Sequence, residues 1–195
     1  MRSPSGVAAG VGFSFTAMIG ILGQRVPAPG AVCPRTPEDI WEQMKEQRSF
    51  RSYMDLALEE AAAAAARGEV PVGACLVRDG MVLARDGNRT RELSDPTAHA
   101  EMLVIRAACA ALGQERLAGA ALYVTLEPCP MCAAAISAAR VARLYYGAAD
   151  VKSGGVAVGA RVFSHPQCHH VPEVYDGIGA TEAEALLKAF FAGRR

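Results

Sequence analysis

The sequence of 195 residues carries no net charge, because twenty basic residues balance twenty acidic ones. No overall positive field therefore indicates a nucleic-acid partner, and any such site must be a local patch. Lysine is scarce, since only Lys45, Lys152 and Lys188 occur. The other basic residues are arginines, whose abundance fits a GC-rich genome as readily as phosphate binding. Net charge alone decides nothing about the partner.

Cysteine is also too sparse for a secreted disulfide scaffold, because six residues are spread irregularly along the chain. A reducing compartment is the better interpretation, and we expect a cytoplasmic protein. Cys75 lies in an apolar strand-like run and Cys109 in an alanine-rich helix-like run, so both are interpreted as small buried hydrophobes. Cys129 and Cys132 are the pair whose spacing indicates chemistry.

Strong hydrophobic runs are missing as well. Residues 6–23 are weakly apolar but diluted by glycine, serine and threonine, so a membrane span is disfavoured. Residues 1–48 are therefore predicted to be a leader without a stable fold. The leader is either a targeting peptide or a segment upstream of an internal start at Met44 or Met54. Apolar residues make up 51% of the sequence, enough for a core, and residues 49–195 are predicted to form one globular domain.

Removal of the leader should leave the domain intact, because residues 1–48 contribute no motif and little apolar periodicity that could pack. We expect a chain that begins at Ser49 to keep the melting temperature and activity of the full chain. Calorimetry and an activity assay on both chains test this. A drop of many degrees in the shorter chain would instead show that the leader packs on the domain.

The domain is predicted to alternate helices with short strands, which is typical of a layered α/β fold. Apolar residues recur at helical spacing, an Asp-Gly pair marks a hairpin, and a strand, a helix and a strand with short connections indicate a parallel pair. Residues 156–163 receive no assignment. The predicted helices cover about 54–66, 98–112, 131–139 and 181–191, and the predicted strands cover 72–77, 81–84, 121–126, 141–146 and an edge strand at 171–174.

His99, Cys129 and Cys132 are candidate ligands for a borderline-soft metal ion. The motif His-x-Glu, with Glu101 as its acid, precedes the motif Pro-Cys-x-x-Cys by about thirty residues. A structural zinc site uses four protein ligands, whereas a catalytic site leaves the fourth position to a water whose pKa falls to roughly 7. Three ligands therefore predict a zinc enzyme with one ion per subunit.

The position of the two motifs indicates how they surround a metal. His99 and Glu101 point about 200° apart around a helix, so both can flank only an ion beyond its N-terminal end. Cys129 and Cys132 open the next predicted helix and can do the same, and both helix dipoles then favour thiolates at the ion. Glu101, which the metal does not need, is predicted to carry protons between the activated water and the substrate.

In these motifs the domain resembles the bacterial TadA-type tRNA adenosine deaminases of the cytidine deaminase-like superfamily. His-x-Glu followed by Pro-Cys-x-x-Cys is the general zinc-deaminase signature. Further matching stretches narrow the resemblance from the superfamily to the tRNA adenosine deaminases. The resemblance covers about three quarters of the chain. The matching stretches are Glu69-Val70-Pro71-Val72-Gly73, Asn88-Arg89, residues 95–101, residues 122–129, residues 150–155 and Phe190-Phe191.

The resemblance implies a three-layer α/β/α fold, built on a central mixed sheet of about five strands. It implies hydrolytic deamination of adenosine to inosine at the wobble position of a tRNA anticodon, with Zn²⁺ as cofactor. The implied partners are the anticodon stem-loop of a tRNA and a second copy of the chain in a homodimer. The implied substrate contacts are Asn88 on the flipped base or its ribose, Val70 and Pro71 as walls of the base pocket, Ala100 as a further contact, and Asp150 and Lys152 on the RNA backbone.

Two rival functions stay open on the sequence alone. One is a free-base or nucleoside deaminase of the same superfamily that acts on guanine or cytosine. The other is a catalytically silent RNA-binding zinc module, against which Glu101 argues because a structural site needs no acid–base partner.

A histidine-rich loop near the C-terminus, with His165, Cys168, His169 and His170, allows two interpretations. It is a second metal site, or it is a solvated or RNA-facing loop. The loop interpretation is preferred because the predicted zinc ion already has its ligands.

Overall fold

The structure is a computed structural model that describes residues 52–193. The predicted leader, residues 1–48, lies outside the described residues. In the described part the helices are α1 (Tyr53–Ala66), α2 (Ala100–Leu112), α3 (Pro130–Ala138) and α4 (Ala180–Ala192), and the strands are β1 (Gly73–Arg78), β2 (Met81–Gly87), β3 (Ala121–Leu126), β4 (Arg143–Ala148) and β5 (Glu173–Tyr175). A single turn of 3₁₀-helix covers Val162–Ser164, at the end of the stretch 156–163 that receives no assignment from the sequence.

The five strands form one mixed sheet in the order β2-β1-β3-β4-β5, which confirms the predicted fold class. β1 and β2 form the predicted hairpin, whose turn residues Asp79 and Gly80 have φ of 52° and 77°. Both values lie in the left-handed region that the Asp-Gly pair favours. β1 pairs antiparallel with β3, whereas β4 pairs parallel with both β3 and β5. α3 joins the parallel strands β3 and β4, as predicted from the short connection.

The helices pack in two pairs against the sheet. α1 contacts α4, and α2 contacts α3. Gly73 allows α1 to lie directly on the sheet, because a Cβ there would collide with the Ala57 carbonyl oxygen and the Ala61 amide nitrogen. None of the helices in residues 52–193 is long and apolar enough to cross a membrane. The main core lies between the sheet and the helix pair α2 and α3, and includes Leu76, Val104, Ile105, Leu122, Ile136 and Leu144.

α2 begins two residues later than the sequence predicts. Asp95 Oδ1 accepts hydrogen bonds from the N–H and the hydroxyl group of Thr97, at 2.8 and 2.7 Å, and these bonds close a turn before the helix. Asn88 Oδ1 then accepts the Ala100 N–H at 2.9 Å, so the helix receives its cap from a distant loop. His99 consequently has extended backbone angles and is the N-cap residue rather than a helical residue.

The segments that carry the His-x-Glu and Pro-Cys-x-x-Cys motifs lie together at one edge of the sheet. The carboxyl ends of β3 and β4 meet at this edge because the two strands are parallel. The start of β1 and the end of β2 meet there too, since β1 is antiparallel to both β2 and β3. Ligands of open α/β sheets bind outside the carboxyl ends of parallel strands. The segments that meet at this edge are 69–72, 88–99, 127–129 and 149–158.

Candidate active site

His99, Cys129 and Cys132 come together at this edge, with their ligand atoms all within 4.8 Å of one another. His99 Nδ1 lies 3.7 Å from Cys129 Sγ and 3.6 Å from Cys132 Sγ. Zinc–sulfur bonds of about 2.3 Å and zinc–nitrogen bonds of about 2.0–2.1 Å at tetrahedral angles separate such atoms by about 3.5–3.6 Å. The three side chains therefore fit one zinc ion as a His-Cys-Cys set. Residues 52–193 contain no other such group of three metal-ligating side chains.

The local sequence explains why these side chains meet. Cys129 is the N-cap residue of α3, and Pro130 is the first helical residue. Proline fits this position because it has no N–H, and an N–H there would have no acceptor within the helix. Cys132 follows within the same first turn. His99 holds the equivalent N-cap position of α2. Both helices thus begin at the site, and their positive dipole ends favour thiolate ligands there.

The two cysteines of the cluster have pKa values that are shifted in opposite directions. Hydrogen bonding from Cys132 lowers the pKa of Cys129 to about 4, and the bond to His99 acts in the same direction. The bond to Cys129, together with burial, raises the pKa of Cys132 above its usual range. Zinc binding would release the proton of Cys132, because both sulfurs ligate zinc as thiolates.

Glu101 borders the ligand cluster without belonging to it. Its side chain is 3% exposed, and burial raises the pKa of its carboxyl group. The residue lines the same cavity as His99 and Cys129. A buried carboxyl group with a raised pKa beside a metal site has the properties of a general acid–base group.

The cluster lies in a cavity of about 250 Å³. This volume is below the roughly 300–1,000 Å³ of pockets for drug-sized ligands, so the cavity fits one small group such as a single base. Val70, Asn88 and Asp150 line it, although the resemblance implies Asp150 on the RNA backbone rather than at the base. Pro71 and Ala100 are fully buried and do not contribute to the lining.

Asn88 connects α2 to the cavity. Its side-chain oxygen is the acceptor that caps α2, and the residue is 7% exposed. Its Nδ2 amide group has no hydrogen-bond acceptor among residues 52–193 and belongs to a residue that lines the cavity. An Asn side chain offers two N–H donors, so Asn88 has donors available for a ligand.

Two buried glutamates that the sequence analysis missed hold the loops around the cavity. Glu69 is 1% exposed and accepts hydrogen bonds from residues 90–92. Glu127 is 2% exposed and accepts N–H bonds from Asp150 and from residues 156–158. The position of Glu127 between an apolar strand and a helix start was a signal that could have identified it. A charge at such a position is buried, and charged residues are almost never fully buried unless they are paired, so a partner was to be expected.

The histidine-rich loop is bonded to the end of α3 instead of forming a second metal site. Cys168 Sγ lies 3.2 Å from Ser137 Oγ and donates to the His170 carbonyl oxygen at 3.1 Å. The His170 N–H donates to Ser137 Oγ at 3.0 Å, and its Nε2 lies 2.8 Å from the Val141 carbonyl oxygen. These contacts fasten Cys168 and His170 to the domain, while His165 and His169 stay exposed to solvent.

Comparison with known proteins identifies the family. The model of the cytidine and deoxycytidylate deaminase zinc-binding region matches residues 47–148, which include both zinc motifs. A tRNA-specific adenosine deaminase of Agrobacterium fabrum is 64% identical over 143 residues, covering 73% of this chain and 94% of the relative. The chain belongs to the tRNA-specific adenosine deaminase family. The family's zinc-binding region and the His-Cys-Cys set together fit one Zn²⁺ per subunit.

Solved structures agree with membership of this deaminase family. A structure from work on A-to-I editing by tRNA deaminases at the wobble position of transfer RNA matches with a TM-score of 0.69 and 65% identity, covering 69% of this chain and 98% of that chain. The guanine deaminase of Bacillus subtilis matches with a TM-score of 0.51 and 32% identity, covering 73% of this chain and 91% of that chain. Enzymes that act on different bases thus share this fold, so the substrate must be argued from the site.

Proposed function

We propose that the chain hydrolytically deaminates adenosine to inosine at the wobble position of a tRNA anticodon. The observation that carries the proposal is the His-Cys-Cys set with buried Glu101 beside it, inside a cavity that fits one base. The substrate class is supported by the 64% identity to a tRNA-specific adenosine deaminase.

The chemistry divides between the metal and Glu101. His99, Cys129 and Cys132 would hold the zinc ion, which would supply a water of lowered pKa as the nucleophile. Glu101 takes up a proton from that water and delivers it to the ring nitrogen N1 of adenine as the C6–O bond forms. It then takes up the remaining proton of the new C6 hydroxyl group and delivers it to the C6 amino group, which leaves as ammonia as the C–N bond breaks and C6 becomes a carbonyl. The raised pKa of Glu101 allows it to hold the proton between these steps.

The cavity residues bind the base. Asn88 donates from Nδ2 to the flipped base or its ribose, because its oxygen is already used as the cap of α2. Val70 lines the cavity and supplies an apolar surface for the base. Neither contact takes part in proton transfer, so both residues contribute to substrate orientation.

A second cavity of about 600 Å³, the groove, adjoins the first. Two of the chain's three lysines, Lys152 and Lys188, line it. Lys188 is paired with Glu184 at 2.8 Å, whereas Lys152 has no ion pair within residues 52–193. Phe191 also lines this groove and is 51% exposed. An exposed aromatic ring and an unpaired cation suit the flanking bases and phosphates of an oligonucleotide. The two cavities share Val70, Leu126, Asp150 and Ser153.

These adjoining cavities support an anticodon loop rather than a free base as substrate. The small cavity holds the target base, and the groove holds its neighbours, with Lys152 and Asp150 at the RNA backbone. We also propose the homodimer and the cytoplasmic location that the family resemblance implies. Light scattering on the purified chain tests the homodimer.

Mass spectrometry of total tRNA from cells depleted of this protein tests the proposed function. We expect adenosine to replace inosine at the wobble position of the affected tRNAs. Unchanged inosine, accompanied by accumulation of free guanine or cytosine, would favour the free-base rival.

A further inference from the structure

We propose that Glu127 is a positioning residue for substrate binding. It fixes the loop of residues 150–158 against the start of α3 and thereby sets one wall of the base cavity. The kinetic part of its test rests on the proposed function.

The hydrogen bonds of Glu127 hold both ends of this loop. Its Oε1 accepts the N–H groups of Val156, Ala157 and Val158 at 3.1, 2.9 and 3.2 Å. Its Oε2 accepts the N–H of Asp150 at 3.1 Å. One carboxylate thus satisfies four backbone donors. Bonds to a charged acceptor are roughly twice as strong as neutral ones, and buried donors left without a partner are costly.

Two glycines allow the loop to close onto this carboxylate and onto α3. A Cβ at Gly154 would lie 2.5 Å from Glu127 Oε1, and a Cβ at Gly155 would lie 2.5 Å from the Pro130 nitrogen. The Gly155 N–H donates to the Pro128 carbonyl oxygen at 2.8 Å. The loop therefore contacts the residues on both sides of the first cysteine ligand, and its position is tied to the metal site.

The position of this loop matters because its first residues face the substrate. Asp150 and Ser153 line the base cavity, and Lys152 lines the adjoining groove. Asp150 Oδ1 accepts the N–H groups of Lys152 and Ser153 at 3.0 Å each, so these residues form one turn. The bond from the Asp150 N–H to Glu127 fixes that turn. Glu127 borders the cavity, but both of its oxygens are already engaged by the loop.

Glu127→Gln is the sharper of two test variants. The amide keeps an oxygen for residues 156–158 but presents an N–H₂ donor to the Asp150 N–H, whereas Glu127→Ala removes every acceptor. On an anticodon stem-loop we expect kcat/KM to fall about tenfold for Gln and about a hundredfold or more for Ala. Most of the loss should be in KM, because Glu101 and the zinc ligands are unchanged. Zinc content should stay at one ion per chain.

Amide hydrogen exchange on the zinc-loaded full chain reports the loop without any need for activity. We expect faster exchange in residues 150–158 of Glu127→Gln, with the protection of α2 unchanged. Because this readout needs no substrate, it tests the positioning role even if the stem-loop were not deaminated. Glu115→Gln is the matched control, since that side chain is 84% exposed, and it should behave as the wild type.

Two outcomes would overturn the proposal. Unchanged exchange in residues 150–158 would show that Glu127 does not hold the loop. A loss in kcat at unchanged KM, together with faster exchange throughout the domain, would show that the variant lowers the folded fraction and that Glu127 serves stability alone.

Discussion

Glu101→Gln is expected to lower kcat by roughly 10²–10⁴-fold while about one zinc ion per chain stays bound. The amide has nearly the same size as the carboxyl group but cannot take up and release the proton that the reaction transfers. The zinc ligands are unaffected, because Glu101 lies outside the His-Cys-Cys set. Metal analysis by plasma mass spectrometry beside a deamination assay measures both quantities on one sample.

The ligand variants should behave differently from Glu101→Gln. His99→Ala and Cys129→Ala each remove one of three protein ligands, so we expect loss of zinc together with activity. Cys109→Ala is the control, since this thiol lies on α2 outside the cluster, and it should keep both. Equal zinc loss in the Glu101 and His99 variants would identify Glu101 as a ligand and contradict the proposed mechanism.

An anticodon stem-loop with adenosine at the wobble position should be deaminated at least about a hundredfold more efficiently than free adenosine, cytosine or guanine. The comparison is made in kcat/KM, and the gap corresponds to only about 2.7 kcal/mol. A free base occupies the 250 Å³ cavity alone, whereas the stem-loop also fills the adjoining groove. Each stacked base contributes roughly 1–3 kcal/mol, so flanking contacts can supply the difference.

Lys152 should carry part of this preference. Lys152→Ala is expected to lower the stem-loop rate and to reduce the slope of log kcat/KM against log salt by about one, with little effect on any free-nucleoside rate. Arg116→Ala is the matched control, because Arg116 is 67% exposed and, within residues 52–193, forms an ion pair only with its neighbour Glu115. If free guanine or cytosine turned over as well as the stem-loop, the tRNA substrate would be wrong and the free-base rival correct.

The parts of the site that depend on local spacing were predictable from the sequence. Cys129 and Cys132 fall in one helical turn that Pro130 opens, so their convergence follows from the motif itself. β3 was predicted with its observed bounds because it is a short apolar run between turn signals. The parallel pairing of β3 and β4 followed from the short connection through α3.

The parts that depend on contacts between distant segments were not predictable. His99 was predicted inside a helix, yet α2 begins only at Ala100, whose N–H is capped by Asn88 from twelve residues earlier in the sequence. The bonds from Glu127 to residues 156–158 span 29 to 31 positions, and no local pattern encodes such a distance. Sequence periodicity reports which face of an element is buried, whereas these contacts depend on how the loops at the sheet edge are arranged.

The central claim is hydrolysis of one adenosine at the wobble position, and isotope labelling tests it most directly. The zinc-loaded chain is incubated in heavy-oxygen water with an anticodon stem-loop that carries adenosine at the wobble position and a second adenosine elsewhere in the loop. Fragment mass spectrometry should then find inosine at the wobble position alone, with the heavy oxygen incorporated and an equal amount of ammonia released. Inosine at both adenosines, or no inosine while free guanine is consumed, would contradict the account.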